Sequence, residues 1–242
     1  MRQDMTPDMD KSAHLLTELI KSETPFSFWR FGDGAIECMY YWQGVTCDGE
    51  RYSREMGEKI RAAIKSLHQM RDYCPEASAI YFGDWATATN GSAPNHVNIW
   101  RTVIAAPPEY LLHFEALLLN RQSHALHAFY RAVKQDRRRK LIVGAEFNRP
   151  AGELLNADYL AVPLHDLYEC LPVIAKRIQE RSYDVLLFGC GLAGVLPIVA
   201  EWQAHPERTY IHLGSALDPL HKGRTRSGQL GMLQARAFLG DL

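Results

Sequence analysis

A chain of 242 residues, 47% of them hydrophobic and 23% charged, has the composition of a globular protein long enough to bury a substantial core. Its formal net charge of -1 excludes any whole-protein attraction to polyanions and leaves only a local patch open. Five cysteines, odd in number and without a C-x-x-C pair, argue against a disulfide framework and against a structural zinc site.

The opening MRQDMTPDMDKS is polar and acidic, lacks the apolar stretch of a signal peptide, and reads as a flexible tail over residues 1–11. Ser12 to Ser22 has helical spacing, FSFWR (Phe26–Arg30) is a short strand, and Gly34 to Trp42 a helix with Asp33 as its N-cap. In SREMGEKIRAAIKSLHQM, Met56, Ile60, Ile64 and Leu67 form one helical face. SAIYFG is a buried strand, and NGSAP a loop with strong turn chemistry. PPEYLLHFEALLL and SHALHAFYRAVKQ read as two helices. KLIVGAEF and DYLAVPL are strands, LPVIAKRIQE a helix, DVLLFGCG a strand, followed by a helix to about Trp202 and the strand TYIHLG.

Strands alternating with helices imply a single α/β domain over residues 1–242, a Rossmann-like, mostly parallel sheet with helices on both faces. No apolar run approaches the roughly 18 residues of a membrane span. Reduced thiols in a cytoplasmic protein are the simplest expectation. In such sheets ligands bind beyond the carboxyl ends of the strands, so the residues there carry the functional question.

Three strand ends stand out. After FSFWR the chain runs Arg30-Phe31-Gly32-Asp33-Gly34, where glycines allow a tight turn and a close backbone approach. Arg30 and Asp33 are either a surface charge and a helix cap, or a phosphate contact and a ligand to a metal or hydroxyl. Asp33 and Glu37, four apart, share a helix face and make a candidate pair for a hard divalent cation. The second is DVLLFGCGLAG, where Gly189, Gly191 and Gly194 form a literal G-x-G-x-x-G between a strand and a helix. Such a turn suits a phosphate or close packing. It suits a dinucleotide less well, because only one further strand follows and Pro197 sits early in the helix. The third is YIHLGSALDPLHKGRTRSG, in which Asp218, Lys222, Arg224 and Arg226 follow a strand, as a solvated basic loop or as phosphate contacts.

Weaker signals are the pair His124 and His127, the run Asp136–Lys140 (DRRRK), and CDGERY with Asp48 and Glu50. G-x-S-x-G, H-E-x-x-H and Walker motifs are all missing.

WRFGDGAIECM, TCDGERYS, LIVGAEF, DVLLFGCGLAGVLPIVAEW and IHLGSALDPLHKGRTRS together resemble the GT-D-fold glycosyltransferases, once grouped as a domain of unknown function. That family carries an R-[FY]-G-D-G-E segment with an Asp-x-Glu motif near its N-terminus and a glycine-bearing strand-to-helix turn near its C-terminus. The similarity spans roughly Phe26 to Arg226. It implies a GT-D-like fold and transfer of a sugar from a nucleotide-diphosphate sugar, such as a UDP-sugar. The implied acceptor is a hydroxyl of a glycan or glycoprotein, or of a hydroxymethylated pyrimidine in DNA. It also implies Mn²⁺ or Mg²⁺ on Asp33, donor contacts from Arg30, Gly32, Asp33, Gly189, Gly191, Arg224 and Arg226, and Asp218 as general base or donor ligand. The sequence departs from the pattern at Ala35, where the family has its second carboxylate. Glu37 or Glu50 would have to replace it, so the metal itself is in question. Two other classes stay open: an NAD(P)-dependent oxidoreductase built on the glycine turn, and a catalytically silent nucleotide-binding subunit.

Overall fold

The computed structural model describes residues 7–41, 44, 51–73, 79–89, 94–119, 123–218, 220 and 237–238. Its centre is one sheet of seven parallel strands: β1 (Phe26–Trp29), β2 (Ala79–Asp84), β3 (Leu111–His113), β4 (Lys140–Ala145), β5 (Asp158–Val162), β6 (Val185–Gly189) and β7 (Thr209–His212). Their order is β3-β2-β1-β7-β6-β4-β5. Every residue of β1, β4 and β7 is buried, as expected when helices cover both faces of strands that are mostly apolar.

The helices are α1 (Met9–Lys21), α2 (Asp33–Tyr41), α3 (Arg54–Tyr73), α4 (Ala86–Thr89), α5 (Pro94–Ile104), α6 (His124–Gln135), α7 (Pro150–Leu154), α8 (Leu171–Gln179) and α9 (Val195–Ala204). One face packs α1, α6 and α7 through Leu16, Phe129 and Ala151 onto Ile142, Leu187 and Ile211. The other packs α2, α3, α5, α8 and α9 through Ile36, Ile60, Trp100, Ile178 and Trp202 onto Trp29, Leu186 and Phe188. Neighbouring strands therefore send their chains to opposite faces at two places. β4 leads to α7 while β6 leads to α9. β1 leads to α2, while the turn after β7 buries Ala216 and Leu217 on the α1 side. A crevice opens at the carboxyl edge where this happens.

Among the differences from the sequence reading, four stand out. Residues 107–119 were expected to be helical; instead Pro108–Tyr110 is one 3-10 turn, and β3 pairs with β2 with Phe82 opposite Leu111. The open edge of β2 takes up the backbone groups that follow the two prolines at 107 and 108, and this pairing overrides the helical spacing. The His113 N–H also donates to Ser12 Oγ at 2.9 Å, which ties β3 to α1. Second, α5 begins at the end of the NGSAP loop and runs through residues to which the sequence reading assigns no element, although Val97, Trp100 and Ile104 fall at i, i+3 and i+7 and are buried. Third, α1 starts at Met9, inside the expected tail, because the Asp8 side chain accepts the Lys11 N–H at 2.8 Å. Fourth, α2 begins at Asp33 rather than after it. The Gly32 carbonyl accepts from Ala35 and Ile36, so Gly32 holds the cap position.

At the amino edge the sheet is held by a polar network. The Glu201 carboxylate is buried, accepts the Tyr183 hydroxyl at 2.8 Å and lies 3.1 Å from the Arg208 guanidinium. Truncating it strands a buried hydroxyl and a half-buried cation, so Glu201→Ala is expected to lower the unfolding free energy by roughly 3 kcal/mol. Urea unfolding measures this, and a loss under about 1 kcal/mol would show the network to be dispensable.

Among the described residues, no helix is long and apolar enough to cross a membrane.

Candidate functional site

β1 ends at Trp29, whose indole packs against Phe188 and Trp202 at 5.6 and 6.2 Å between ring centroids. This fixes the strand end and delivers Arg30 to the carboxyl edge. Arg30 is 7% exposed. Its guanidinium donates to the Leu213 carbonyl and lies 4.3 Å from the Phe114 ring centroid, while Nε is buried with no hydrogen-bond partner. Burial draws its pKa down to about 10, so it remains a cation at neutral pH. Among the described residues no carboxylate pairs with it. A buried charge kept without a counterion is costly to the fold, and such groups mark functional sites.

Beyond Arg30, Trp100 Nε1–H donates to the Phe31 carbonyl at 2.7 Å, which pins the turn into α2. Asp33 is exposed at the start of that helix, and its Oδ1 accepts the Gly34 N–H at 2.9 Å.

One cleft at the carboxyl edge collects these residues. Arg30, Gly32, Asp33, Gly34 and Ala35 line it from the β1 side, and Gly189, Cys190, Gly191 and Leu192 from the end of β6. His212, Gly214, Ser215 and Asp218 line it from β7, with Phe114, Ala145, Phe147, Pro163 and Leu164 completing the walls. Two glycines make the closeness possible. A Cβ on Gly189 would sit 2.8 Å from the Gly214 carbonyl oxygen, and Gly214 itself has φ +56°. Asp218 closes the 3-10 turn Gly214–Leu217 and is half-buried, its N–H donating to Ser215 O at 3.1 Å.

The strand-end residues named from the sequence and described in the structure thus meet: Arg30, Gly32, Asp33, Gly189, Gly191 and Asp218 share one cleft. Glu37 does not line it. Its carboxylate accepts the Tyr52 hydroxyl at 3.2 Å, and burial, reinforced by Glu37 and Asp33, pushes the Tyr52 phenol well above its ordinary range. Ala35, where the family pattern has a carboxylate, is 2% exposed and does face the cleft, without oxygen to offer. Among the described residues no group of three or more His, Cys, Asp or Glu could hold a metal ion. They do not by themselves complete the oxygen shell of a hard divalent cation. Arg224, Arg226, Lys222, Asp48 and Glu50 lie outside the described residues.

Comparison with family models, with curated proteins and with solved structures returned no match.

The Asp136–Lys140 run sits at the opposite end of the sheet, where β4 begins. Arg138 pairs with Asp136 at 2.7 Å and Arg139 with Asp184 at 2.9 Å, while Lys140 donates to the Asp136 carbonyl at 2.5 Å. Three of its four cations are therefore committed to the fold. His127 packs edge-on against Phe238 at 5.1 Å.

Three cleft residues were missed in the sequence: Phe114, Cys190 and His212. His212 ends β7, is 7% exposed, and stacks on Phe188 at 4.5 Å between centroids. Its Nδ1 accepts the Arg30 N–H at 3.2 Å. Burial, then the Arg30 charge, lower its pKa to about 3. The unfolded chain takes up a proton at this ring below pH 6.5, whereas the folded chain does not. Stability from this group is therefore complete above pH 6.5 and falls as pH drops toward 3. Between pH 6.5 and 5 the expected loss is about 2 kcal/mol, at roughly 1.4 kcal/mol per pH unit. Urea unfolding at several pH values should show this slope in the wild type and a shallower one in His212→Gln. Equal slopes would mean that the ring is not held neutral.

Proposed function

We propose that the protein is a GT-D-like glycosyltransferase that moves a sugar from a nucleotide-diphosphate donor to a hydroxyl acceptor. The observation that carries this reading is the convergence of Arg30, Asp33, Gly189, Gly191 and Asp218, from three separate strand ends, on one cleft. The reaction breaks the bond between the anomeric carbon and a diphosphate oxygen, and negative charge develops on the leaving group. A fixed, desolvated cation opposes that charge more strongly than a hydrated one, which is the role of Arg30. The turn Gly189–Gly191 lets backbone come close to the donor. Asp218 takes the proton of the attacking hydroxyl or binds the donor. If a divalent ion adds to this, Asp33 and Glu37 are the carboxylates on one helix face available to it, and Glu37 would first have to release Tyr52. The acceptor is a glycan or glycoprotein hydroxyl. The DNA alternative is weakened because three of the four Asp136–Lys140 cations are committed to the fold and the run stands away from the cleft.

One observation favours a second reading, a nucleotide-binding subunit without turnover: the cleft-facing Ala35. An NAD(P) enzyme has less support. After Gly191 the chain forms a 3-10 turn, Leu192–Gly194, and a Cβ on Gly194 would collide with Cys190 and Leu167. The third glycine is thus explained by packing.

The test is a thermal-shift panel of UDP-, GDP- and TDP-sugars against NAD(P), each with and without Mn²⁺, followed by nucleotide release on any sugar nucleotide that binds. A shift and turnover with one sugar nucleotide is the expected result. A shift without turnover favours the silent subunit, and a shift with NAD(P) alone overturns the proposal. Asp33→Asn keeps the side-chain size and an oxygen to accept the Gly34 N–H, so it should remove turnover while changing stability by no more than about 1 kcal/mol. Wild-type turnover in that variant would take Asp33 out of the site.

A further inference from the structure

Arg30 and His212 form a polar pair inside the cleft with unused hydrogen-bonding capacity. A ring nitrogen that accepts an N–H carries no proton, so the bond from Arg30 N to His212 Nδ1 puts the proton of the neutral ring on Nε2. His212 lines the cleft, and among the described residues nothing accepts from that Nε2–H. Stacking on Phe188 at an interplanar angle of 13° holds the ring in place. Arg30 lines the same cleft, with Nε buried and unmatched and one terminal nitrogen bonded to Leu213. A tetrahedral phosphoryl group has diverging oxygens and can take one N–H from Arg30 and another from His212.

We propose that Arg30 and His212 are one anion subsite, in which a fixed cation and a fixed neutral donor, His212 Nε2–H, together hold a phosphoryl group of the ligand. Naming that ligand as the donor's diphosphate rests on the glycosyltransferase reading; the anionic character of the subsite does not. The charged and titratable groups that line the cleft together with the ring are Arg30 after β1, Asp33 on α2, Cys190 after β6 and Asp218 after β7. Arg30 is in direct contact with the ring, and its charge opposes a second proton there. The consequence is a donor that works unchanged from pH 5 to 8. An ordinary histidine contact would strengthen as the ring gains charge near pH 6.5.

The probe is inorganic sulfate, which carries the same charge across this range. Calorimetric titration of the wild type should give affinities within about twofold between pH 5 and 8, since no group of the subsite changes charge there. A ring that charged near pH 6.5 would instead bind about tenfold tighter at pH 5. His212→Gln retains a donor near the Nε2 position and should lose under about threefold. His212→Phe removes the donor and should lose tenfold or more, about 1.4 kcal/mol. In parallel, ¹⁵N spectra of the histidine side chains should show the Nε2–H tautomer of His212 at pH 6 and a shift of that resonance with sulfate. This measurement on the wild type decides the matter should the phenylalanine variant fail to fold. An Nδ1–H tautomer, an imidazolium at pH 6, or an Nε2 resonance indifferent to sulfate each overturns the subsite. If sulfate binds as described and no sugar nucleotide turns over, the glycosyltransferase reading falls and the subsite stands. If sugar nucleotides turn over and His212→Phe leaves both sulfate and donor affinity unchanged, the reverse holds.

Discussion

Arg30→Met is expected to leave the fold as stable as the wild type, or more stable by up to about 2 kcal/mol, while lowering donor turnover by roughly 10²–10³-fold. The two effects have one cause. Drawing a guanidinium from its ordinary value down to about 10 corresponds to roughly 3 kcal/mol spent on keeping a charge in a dry place. Methionine fills much of the same volume beside Phe114 and Gly83 without that penalty. Against this gain stands the Leu213 carbonyl, which loses its donor at a cost of about 1–3 kcal/mol. The cation–π contact with Phe114 is lost as well. The terms nearly cancel in the free protein, so selection for stability alone does not explain the residue. In the proposed reaction nothing would cancel, because a leaving diphosphate would meet no other cation among the described cleft residues. Urea unfolding and nucleotide release on the same preparation check both halves. A stability loss beyond about 3 kcal/mol would make Arg30 a strut of the fold, and full turnover would remove it from the chemistry.

The residues of this cleft were unequally visible in the sequence, for physical reasons. Arg30, Asp33 and the glycines at 189 and 191 interrupt apolar runs, and such interruptions at strand ends are what a parallel sheet turns into a ligand edge. His212 was hidden because it sits inside its strand. In TYIHLG it reads as one more core position, and only the pairing of Phe188 with His212 shows that this position is the rim of the sheet. Phe114 was hidden by an error of period. Once residues 107–119 are taken as a helix, the aromatic that covers Arg30 has no reason to be near it. The bond from Trp100 to Phe31 joins positions 69 residues apart and leaves no local trace. The apolar spacing of α5 was legible, but the turn chemistry just before it outweighed that signal. Glu37 shows the converse. Spacing put it correctly on the helix face of Asp33, and spacing could not tell that Tyr52 would occupy its carboxylate.

Asp218→Asn is expected to lower turnover by about 10²–10⁴-fold with donor affinity nearly unchanged if Asp218 is the general base. If it is a donor ligand, affinity should fall instead. Asp218 stands at the end of the 3-10 turn Gly214–Leu217, and its backbone N–H donates to Ser215 O. Asparagine preserves that bond and the side-chain volume, so the wall of the cleft stays in place while the basic oxygen is lost. The turn starts from Gly214, whose φ of +56° carries the chain from the end of β7 across the mouth of the sheet. That path sets the Asp218 carboxylate in the same cleft as Arg30 rather than on the outer surface. A base is useful there only if the acceptor hydroxyl can approach the anomeric carbon while the diphosphate is held elsewhere, and the proposed subsite of Arg30 with His212 would supply that hold. Two titrations separate the roles, donor affinity by calorimetry and turnover by nucleotide release. The outcome that sinks the assignment is a variant in which neither changes. Asp218 would then be a turn residue ahead of Pro219 in the sequence, and the proton would have to leave by another group in the cleft.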